Sequence, residues 1–273
     1  MKTTMEMAAN SGNHPGVVLN QITMYLDEFL ETSTTPDYPN ALNGLQLSNS
    51  GLIHRVAAAV DFSTKTVQAT ISEKADLLIV HHGMFWTGLQ PLTGRTYSRI
   101  RDLLDADVAV YSSHLPLDRH PHIGNNVLLA KLLGLEPLKG FARFKEISVG
   151  VQGISDIETL TLVDRARTFS RANGGDVITT DEADTNRKTR RWAICTGAGA
   201  SAETLAEATQ DGIDTLIVGE GPHWTAIDAA ERHITIIYLG HYASETLGIY
   251  ALVDEIGRKF HLDGVKISAP TGL

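Results

Sequence analysis

The stretch Asp76-Leu-Leu-Ile-Val-His-His-Gly-Met-Phe-Trp-Thr87 decides the architecture, because it recurs further along the chain. It aligns without gaps on Asp214-Thr-Leu-Ile-Val-Gly-Glu-Gly-Pro-His-Trp-Thr225, and seven of the twelve positions are identical. Each copy is a continuous apolar run followed by a turn, which is typical of a buried strand leading into a loop. Strand propensity alone does not demand the repeated Trp-Thr pair, so the repeat indicates an internal duplication.

A second pair of matched segments supports the duplication. The segment Tyr111-x-x-His114-x-x-x-Asp118 has a counterpart in Tyr238-x-x-His241-x-x-x-Glu245. We therefore predict two related α/β units, which span residues 17–135 and 145–265 and have a metal site between them. Residues 1–16 are polar and are predicted to form a flexible N-terminal tail.

Apolar runs and helical patterns alternate outward from the repeated stretch. Strands are predicted at residues 45–47, 56–60, 77–80, 108–111, 193–196, 215–218 and 234–238. Helices are predicted at residues 17–30, 64–74, 99–105, 157–173, 202–211 and 246–260. The charge-dense residues 179–191 are predicted to form a solvated loop. This alternation favours an α/β fold in which helices cover mixed, buried sheets.

Composition narrows the classes of function. The 273 residues carry 23 basic and 32 acidic side chains, a formal charge of −9, which repels nucleic acid. The single cysteine, Cys195, cannot form an internal disulfide, and as part of an apolar run it is predicted to pack rather than to react. No apolar run is long enough to span a bilayer. We expect a cytoplasmic protein without a nucleic-acid or membrane partner.

Histidine and carboxylate side chains follow three of the apolar runs. His81 and His82 come after the run ending at residue 80, and the other two clusters are the His-x-x-x-acid segments. Functional groups of α/β proteins collect beyond the carboxyl ends of parallel strands, where side chains from different strands converge. Imidazole nitrogen and carboxylate oxygen together form the ligand set of zinc, manganese, iron or nickel.

The adjacent histidines favour two metal ions over one. Successive side chains of an extended segment point to opposite sides, so His81 and His82 cannot easily reach the same ion. If each binds its own ion, a carboxylate such as Asp118 or Glu245 can bridge the two. His241 and Glu245 lie four residues apart, so they share one face if a helix begins at His241.

Other residues near these clusters carry weaker signals. His114 and His223 are candidates for orienting a ligand or transferring a proton, and for His223 an ordinary polar loop residue is an equal alternative. Gly197-Ala198-Gly199 offers backbone N–H groups to a phosphate, but it lacks the third glycine of a nucleotide-binding loop. Trp86 and Trp224, at equivalent positions of the repeat, are predicted to be packing residues.

These motifs together resemble the Nif-three-like family, whose members also carry the name GTP cyclohydrolase 1 type 2 homologue. The resemblance rests on Leu-Leu-Ile-Val-His81-His82-Gly, on the His114 segment, on Gly240-His241-Tyr-Ala-Ser-Glu245 and on Asn43-Gly44-Leu45-Gln46 near the start. It implies two intertwined α/β units, a dinuclear metal centre and a ring-shaped homohexamer. The family's metal ligands fall on His81, His82, Asp118, His241 and Glu245.

The chain departs from the family pattern at the rim of the expected site. Gly83 replaces the proline that commonly follows the histidine pair, and Leu115-Pro116 replaces a Thr-Asn pair. All five ligand positions are kept, so the metal centre is expected to be intact. The departures bear on which substrate fits.

The leading hypothesis is a metal-dependent hydrolase. Two divalent ions per subunit, chosen from zinc, iron, manganese, nickel and magnesium, would activate water on a small substrate, such as a purine nucleotide or related heterocycle. A phosphoesterase would use the same two-metal arrangement. The alternative from another class is a non-catalytic metal-binding ring that acts as a scaffold or regulator.

Overall fold

The computed structural model describes residues 15–180 and 186–273, so all but the last two residues of the predicted tail lie outside the described residues. The strands are β1 (Val17–Val18), β2 (Gly44–Leu47), β3 (Leu52–Ile53), β4 (Arg55–Asp61), β5 (Leu77–His82), β6 (Ala109–Ser112), β7 (Lys139–Phe144), β8 (Ile147–Glu158), β9 (Ile178–Thr179), β10 (Lys188–Cys195), β11 (Thr215–Val218), β12 (Thr235–Tyr238) and β13 (Asp263–Lys266). The helices are α1 (Leu19–Phe29), α2 (Thr64–Ser72), α3 (Gly94–Asp105), α4 (Leu115–Asp118), α5 (Asn125–Leu133), α6 (Thr159–Ala172), α7 (Ala202–Gln210), α8 (His223–Glu231) and α9 (His241–Phe260).

Two mixed sheets form the scaffold. The first has the strand order β13-β4-β5-β6-β2, in which β13, β4, β5 and β6 are parallel and β2 is antiparallel. The second has the order β7-β8-β10-β11-β12-β9, with β10, β11 and β12 parallel in its middle. The predicted α/β class with mixed sheets covered by helices is confirmed.

The duplication extends to the details of local structure. Helices α2 and α7 begin in the same way, with capping boxes formed by Ser63 with Thr66 and by Ser201 with Thr204. Ser63 and Ser201 are separated by the same number of positions as the two copies of the repeated stretch. A capping box satisfies two N–H groups that the first turn leaves unpaired, so both copies fix the direction in which the chain leaves the sheet.

The C-terminal part of the chain returns to the first sheet. Strand β13 pairs with β4, and helix α9 buries Ile249, Leu252 and Val253 in the core that also contains Val56 and Ile79 of that sheet. The same helix begins directly after β12 of the second sheet. The two units are therefore intertwined, and their boundaries at residues 17–135 and 145–265 stay predictions.

The predicted loop at residues 179–191 is partly wrong. Lys188 to Arg191 form the first half of β10, whereas residues 181–185 lie outside the described residues. This half of β10 pairs with β8 alone, because the register with β11 begins only at Trp192. With a neighbour on one side only, three of the four side chains stay exposed or half-exposed, as they would in a loop. None of the helices in the described part of the chain is long and apolar enough to cross a membrane.

Candidate metal centre

The predicted ligands converge where the two sheets meet. His81 and His82 are the last residues of β5, and Asp118 ends the short helix that follows β6. Helix α9 begins at His241, so Glu245 lies one turn further along the same face, as the sequence predicted. All but His241 are buried, and Glu245 is only 3% exposed.

Glu245 lies at the centre of the cluster. Its Oε1 is 3.5 Å from Nε2 of His81, while its Oε2 is 3.5 Å from Nε2 of His82 and 3.1 Å from Nε2 of His241. Oδ2 of Asp118 lies 3.5 Å from Nε2 of His81. The two carboxylate oxygens of Glu245 thus face different histidines, which is the arrangement expected of a bridging carboxylate.

Each imidazole is fixed through its other nitrogen. Nδ1 of His81 donates to the carbonyl oxygen of Ser113 at 2.9 Å, which leaves the lone pair of neutral His81 on Nε2. Nδ1 of His82 lies 2.8 Å from Asp61, and Nδ1 of His241 lies 2.7 Å from Glu220. Carboxylate and carbonyl partners on Nδ1 are the usual supports of histidines that bind metal through Nε2.

His114 joins the cluster as a fourth imidazole. Ring nitrogens of His81, His82 and His114 lie within 4.8 Å of one another, and ligand atoms of His82, His241 and Glu245 form a second such group. Nδ1 of His114 lies 2.9 Å from Asp37. The sequence predicted His114 as a group that orients a ligand or transfers a proton, and the structure places it close enough for either role.

The cluster fits a bound cation. Within the described residues, Nε2 of His81, Nε2 of His241 and Oε2 of Glu245 are buried and have no partner with hydrogen-bond geometry. Buried polar atoms without partners are costly, and these three belong to the side-chain types that bind divalent metals. A cation among them would supply the missing interactions, so the residues present fit the metal centre that the sequence predicted.

The histidines and carboxylates of the cluster shift one another's pKa values. Burial lowers the pKa of His81, but the charges of Asp118 and Glu245 outweigh it and raise the pKa to about 10. Burial likewise lowers the pKa of His241, and Glu245 and Glu220 raise it to about 9. Burial raises the pKa of Glu245, yet the histidines around it bring this pKa well below its ordinary value.

Neighbouring residues fix the carboxylates. Oδ1 of Asp118 accepts a hydrogen bond of 2.8 Å from the side chain of Asn125, whose own oxygen accepts from the backbone N–H of Gly248. Gly197, with φ of +64°, approaches Glu245 so closely that a Cβ atom there would overlap Oε1. The first glycine of the Gly197-Ala198-Gly199 segment therefore makes room for Glu245.

A cavity of about 390 Å³ opens onto the cluster. It is lined by His82, His114, Asp118, His241 and Glu245, together with Tyr38, Trp86, Phe144 and Gly199. The ring of Trp86 lies across the imidazoles, with its centroid 4.5 Å from that of His114 and 4.7 Å from that of His82. Trp224 is 44% exposed, so the prediction that both tryptophans are packing residues is wrong for Trp224.

Cys195 lines this cavity but is a poor nucleophile. Burial raises the pKa of its thiol to about 12, with a smaller contribution from Asp118 and Glu245. The thiol is the unreactive form of cysteine, so a thiolate mechanism is disfavoured.

His223 is not brought to the cluster. It is exposed at the first position of α8 and lines a separate depression with Glu220 and Tyr238. Its proposed part in proton transfer stays a prediction.

Three carboxylates that contact Nδ1 of the histidines are not among the residues predicted from the sequence. Asp61 ends β4 and is paired in register with His82, and Glu220 follows β11 at the position equivalent to His82. Both obey the rule that functional groups follow strand ends, so that rule would have found them. Asp37 lies between prolines and follows no strand, so no signal in the sequence pointed to it.

This fold and cluster define a class of two-sheet α/β proteins with a buried histidine–carboxylate centre that can hold metal ions. The family model described as Duf34/NIF3 (NGG1p interacting factor 3) matches residues 17–270. The chain belongs to this family, as the motifs predicted.

Relatives and solved structures cover nearly the whole chain. Proteins named GTP cyclohydrolase 1 type 2 homolog from Deinococcus radiodurans and Pyrococcus abyssi are each 37% identical to it over 254 residues, which cover 93% of this chain and 94% and 98% of theirs. The structure of protein ybgI, described as of unknown function, has a TM-score of 0.83 at 29% identity and covers 94% of this chain and all of its own. The structure of TTHA1606 from Thermus thermophilus has a TM-score of 0.78 at 28% identity with the same coverage.

Proposed function

We propose that this protein is a hydrolase dependent on divalent metal, and that it acts on a small nucleotide-like substrate in the cavity over the cluster. One observation carries the proposal: three imidazoles, of which those of His81 and His82 are buried, present Nε2 to the two oxygens of Glu245, while each Nδ1 is bound elsewhere. His81, His82, Asp118, His241 and Glu245 would hold the metal. Divalent cations held there would polarise a bound water toward hydroxide near neutral pH.

The chain's own residues supply orientation and proton transfer. Burial raises the pKa of Asp37, but the hydrogen bond and charge of His114 outweigh it and keep the carboxylate ionised. An ionised Asp37 can only accept, so Nδ1 of His114 donates to it in either protonation state; in neutral His114 the lone pair is then on Nε2, which can take a proton from a reacting group. The side-chain amide of Asn125 donates to Oδ1 of Asp118 and holds this carboxylate in place.

The aromatic lining of the cavity favours a planar substrate. The aromatic rings of Tyr38, Phe144 and Trp86 line it, and the centroids of Tyr38 and Phe144 lie 4.8 Å apart. Aromatic side chains bind flat heterocycles by stacking. The name GTP cyclohydrolase 1 type 2 homolog, carried by the relatives, agrees with a purine nucleotide as the first substrate to test.

The test compares metal content and turnover in three proteins. The purified wild type is analysed for metal, loaded with each candidate ion and assayed on nucleotides, esters and amides. We expect about two ions per chain in the wild type, and Glu245→Gln should lose most of them. We expect hydrolysis by this variant to fall at least about a hundredfold, since even residues that only support a metal ligand change activity by up to this factor.

Glu203→Gln is the matched control, because Glu203 lines the same cavity but belongs to neither group of candidate ligands. It should keep the metal content of the wild type. Wild-type protein without divalent metal would overturn the proposal. A wild type that binds metal but hydrolyses none of the substrates would favour the non-catalytic scaffold instead.

A further inference from the structure

A second, larger cavity lies beside the cluster. It has a volume of about 770 Å³ and shares His82 and Trp86 with the first cavity, so these two side chains separate the two spaces. Its charged lining consists of Asp61, Arg95 and Arg99. Two cations face one carboxylate, so the lining has a net positive charge.

The two arginines lie one helical turn apart on α3. Neither forms an ion pair with any residue in the part of the chain that the structure describes. Arg101, on the same helix, is paired with Asp105 at 3.3 Å. Among the described residues, Arg95 and Arg99 thus lack the kind of acidic partner that Arg101 has.

Arg99 is held in position by Phe62. Its guanidinium lies 5.0 Å from the centroid of the Phe62 ring, and its Nη1 donates to the Phe62 carbonyl oxygen at 3.3 Å. Its Nε is buried and has no hydrogen-bond partner among the described residues. Burial and the charge of Arg95, one helical turn away, lower the pKa of Arg99.

The surroundings of the arginines also favour an anion. Ser63 and Thr64, at the start of α2, line the same cavity, and the N-terminal end of a helix carries partial positive charge. Thr93 and Thr96 add hydroxyl groups to the lining. The cavity therefore combines two cations, of which Arg99 is held in position, with neutral hydrogen-bonding groups and the carboxylate of Asp61.

We propose that Arg95 and Arg99 bind a phosphate group of the substrate in this second cavity, next to the metal centre. A phosphate dianion matches two guanidinium groups in charge, and guanidinium binds phosphate through paired hydrogen bonds. The proposal rests on the proposed function, because it assigns a phosphate-bearing substrate to the same site. The rest of that substrate then lies toward His82 and Trp86, where the two cavities meet.

The test measures binding of inorganic phosphate by isothermal titration calorimetry at low ionic strength. The full-length protein is treated with a chelator, so that bound metal makes no contribution. Arg99→Gln and Arg95→Gln are compared with the wild type, and Arg101→Gln is the matched control from the same helix. Thermal melts confirm that each variant is folded.

We expect the dissociation constant for phosphate to rise at least about tenfold in Arg99→Gln and severalfold in Arg95→Gln, because a hydrogen bond to a charged group is lost. Arg101→Gln should bind like the wild type. Absence of phosphate binding by the wild type, or equal affinity in all four proteins, would overturn the proposal. Because no turnover is measured, this result is independent of whether the protein is a hydrolase.

Discussion

Protonation of His81 and His241 should govern how strongly the cluster binds metal. With pKa values of about 10 and about 9, both imidazoles are in the positively charged, doubly protonated form at pH 7.5 in the metal-free protein. A metal ligand must be neutral, so loading the centre should release about two protons per chain at that pH. Affinity for metal should rise between pH 6 and pH 9 as the competing protons leave. Titration of metal in two buffers of different ionisation enthalpy counts the protons, and an affinity independent of pH would contradict this expectation.

Individual site residues were predictable where they follow a strand and unpredictable where a loop carries them. His81, His82, His241 and Glu245 follow the apolar runs of the two repeats, so the sequence assigns each of them to the end of a strand. Asp37 reaches His114 across 77 positions of sequence, through a segment without periodicity. Such a contact depends on tertiary placement alone, which no local pattern encodes.

At the scale of elements, the turn between β10 and α7 positions Glu245. Gly197 has φ of +64°, and a side chain there would overlap Oε1 of Glu245. We expect Gly197→Ala to lose most of its bound metal by elemental analysis, since either the turn or the carboxylate must move. Gly94→Ala is the control, because Gly94 has φ of +51° but nothing within 4 Å of the added Cβ. The control should keep its metal and lose about 1 kcal/mol of stability; equal metal content in both variants would exclude this role of Gly197.

Elements were predicted best where both neighbours of a strand are present. Strands β5 and β11 are buried along their whole length, so they form continuous apolar runs in the sequence. The hairpin of β7 and β8 has little signal in the sequence because its strands mix buried and exposed positions, and the first half of β10, which pairs only with β8, has the polar composition of a loop. Polar edges of sheets carry too little hydrophobic signal to be distinguished from loops.

At the scale of the whole molecule, the histidine–carboxylate cluster connects the two sheets. Helix α9 starts after the second sheet, packs against the first and carries His241 and Glu245, whereas His81 and His82 end a strand of the first sheet. Metal binding should therefore stabilise the chain as one cooperative unit. We expect a single thermal transition whose midpoint rises as metal is added. The free energy of unfolding should increase by about 2.7 kcal/mol when free metal reaches a hundred times its dissociation constant. Calorimetry with and without chelator measures this shift in the wild type, and Glu245→Gln should show little of it. Two separate transitions, of which only one responds to metal, would mean that the sheets unfold independently and that the centre belongs to one of them.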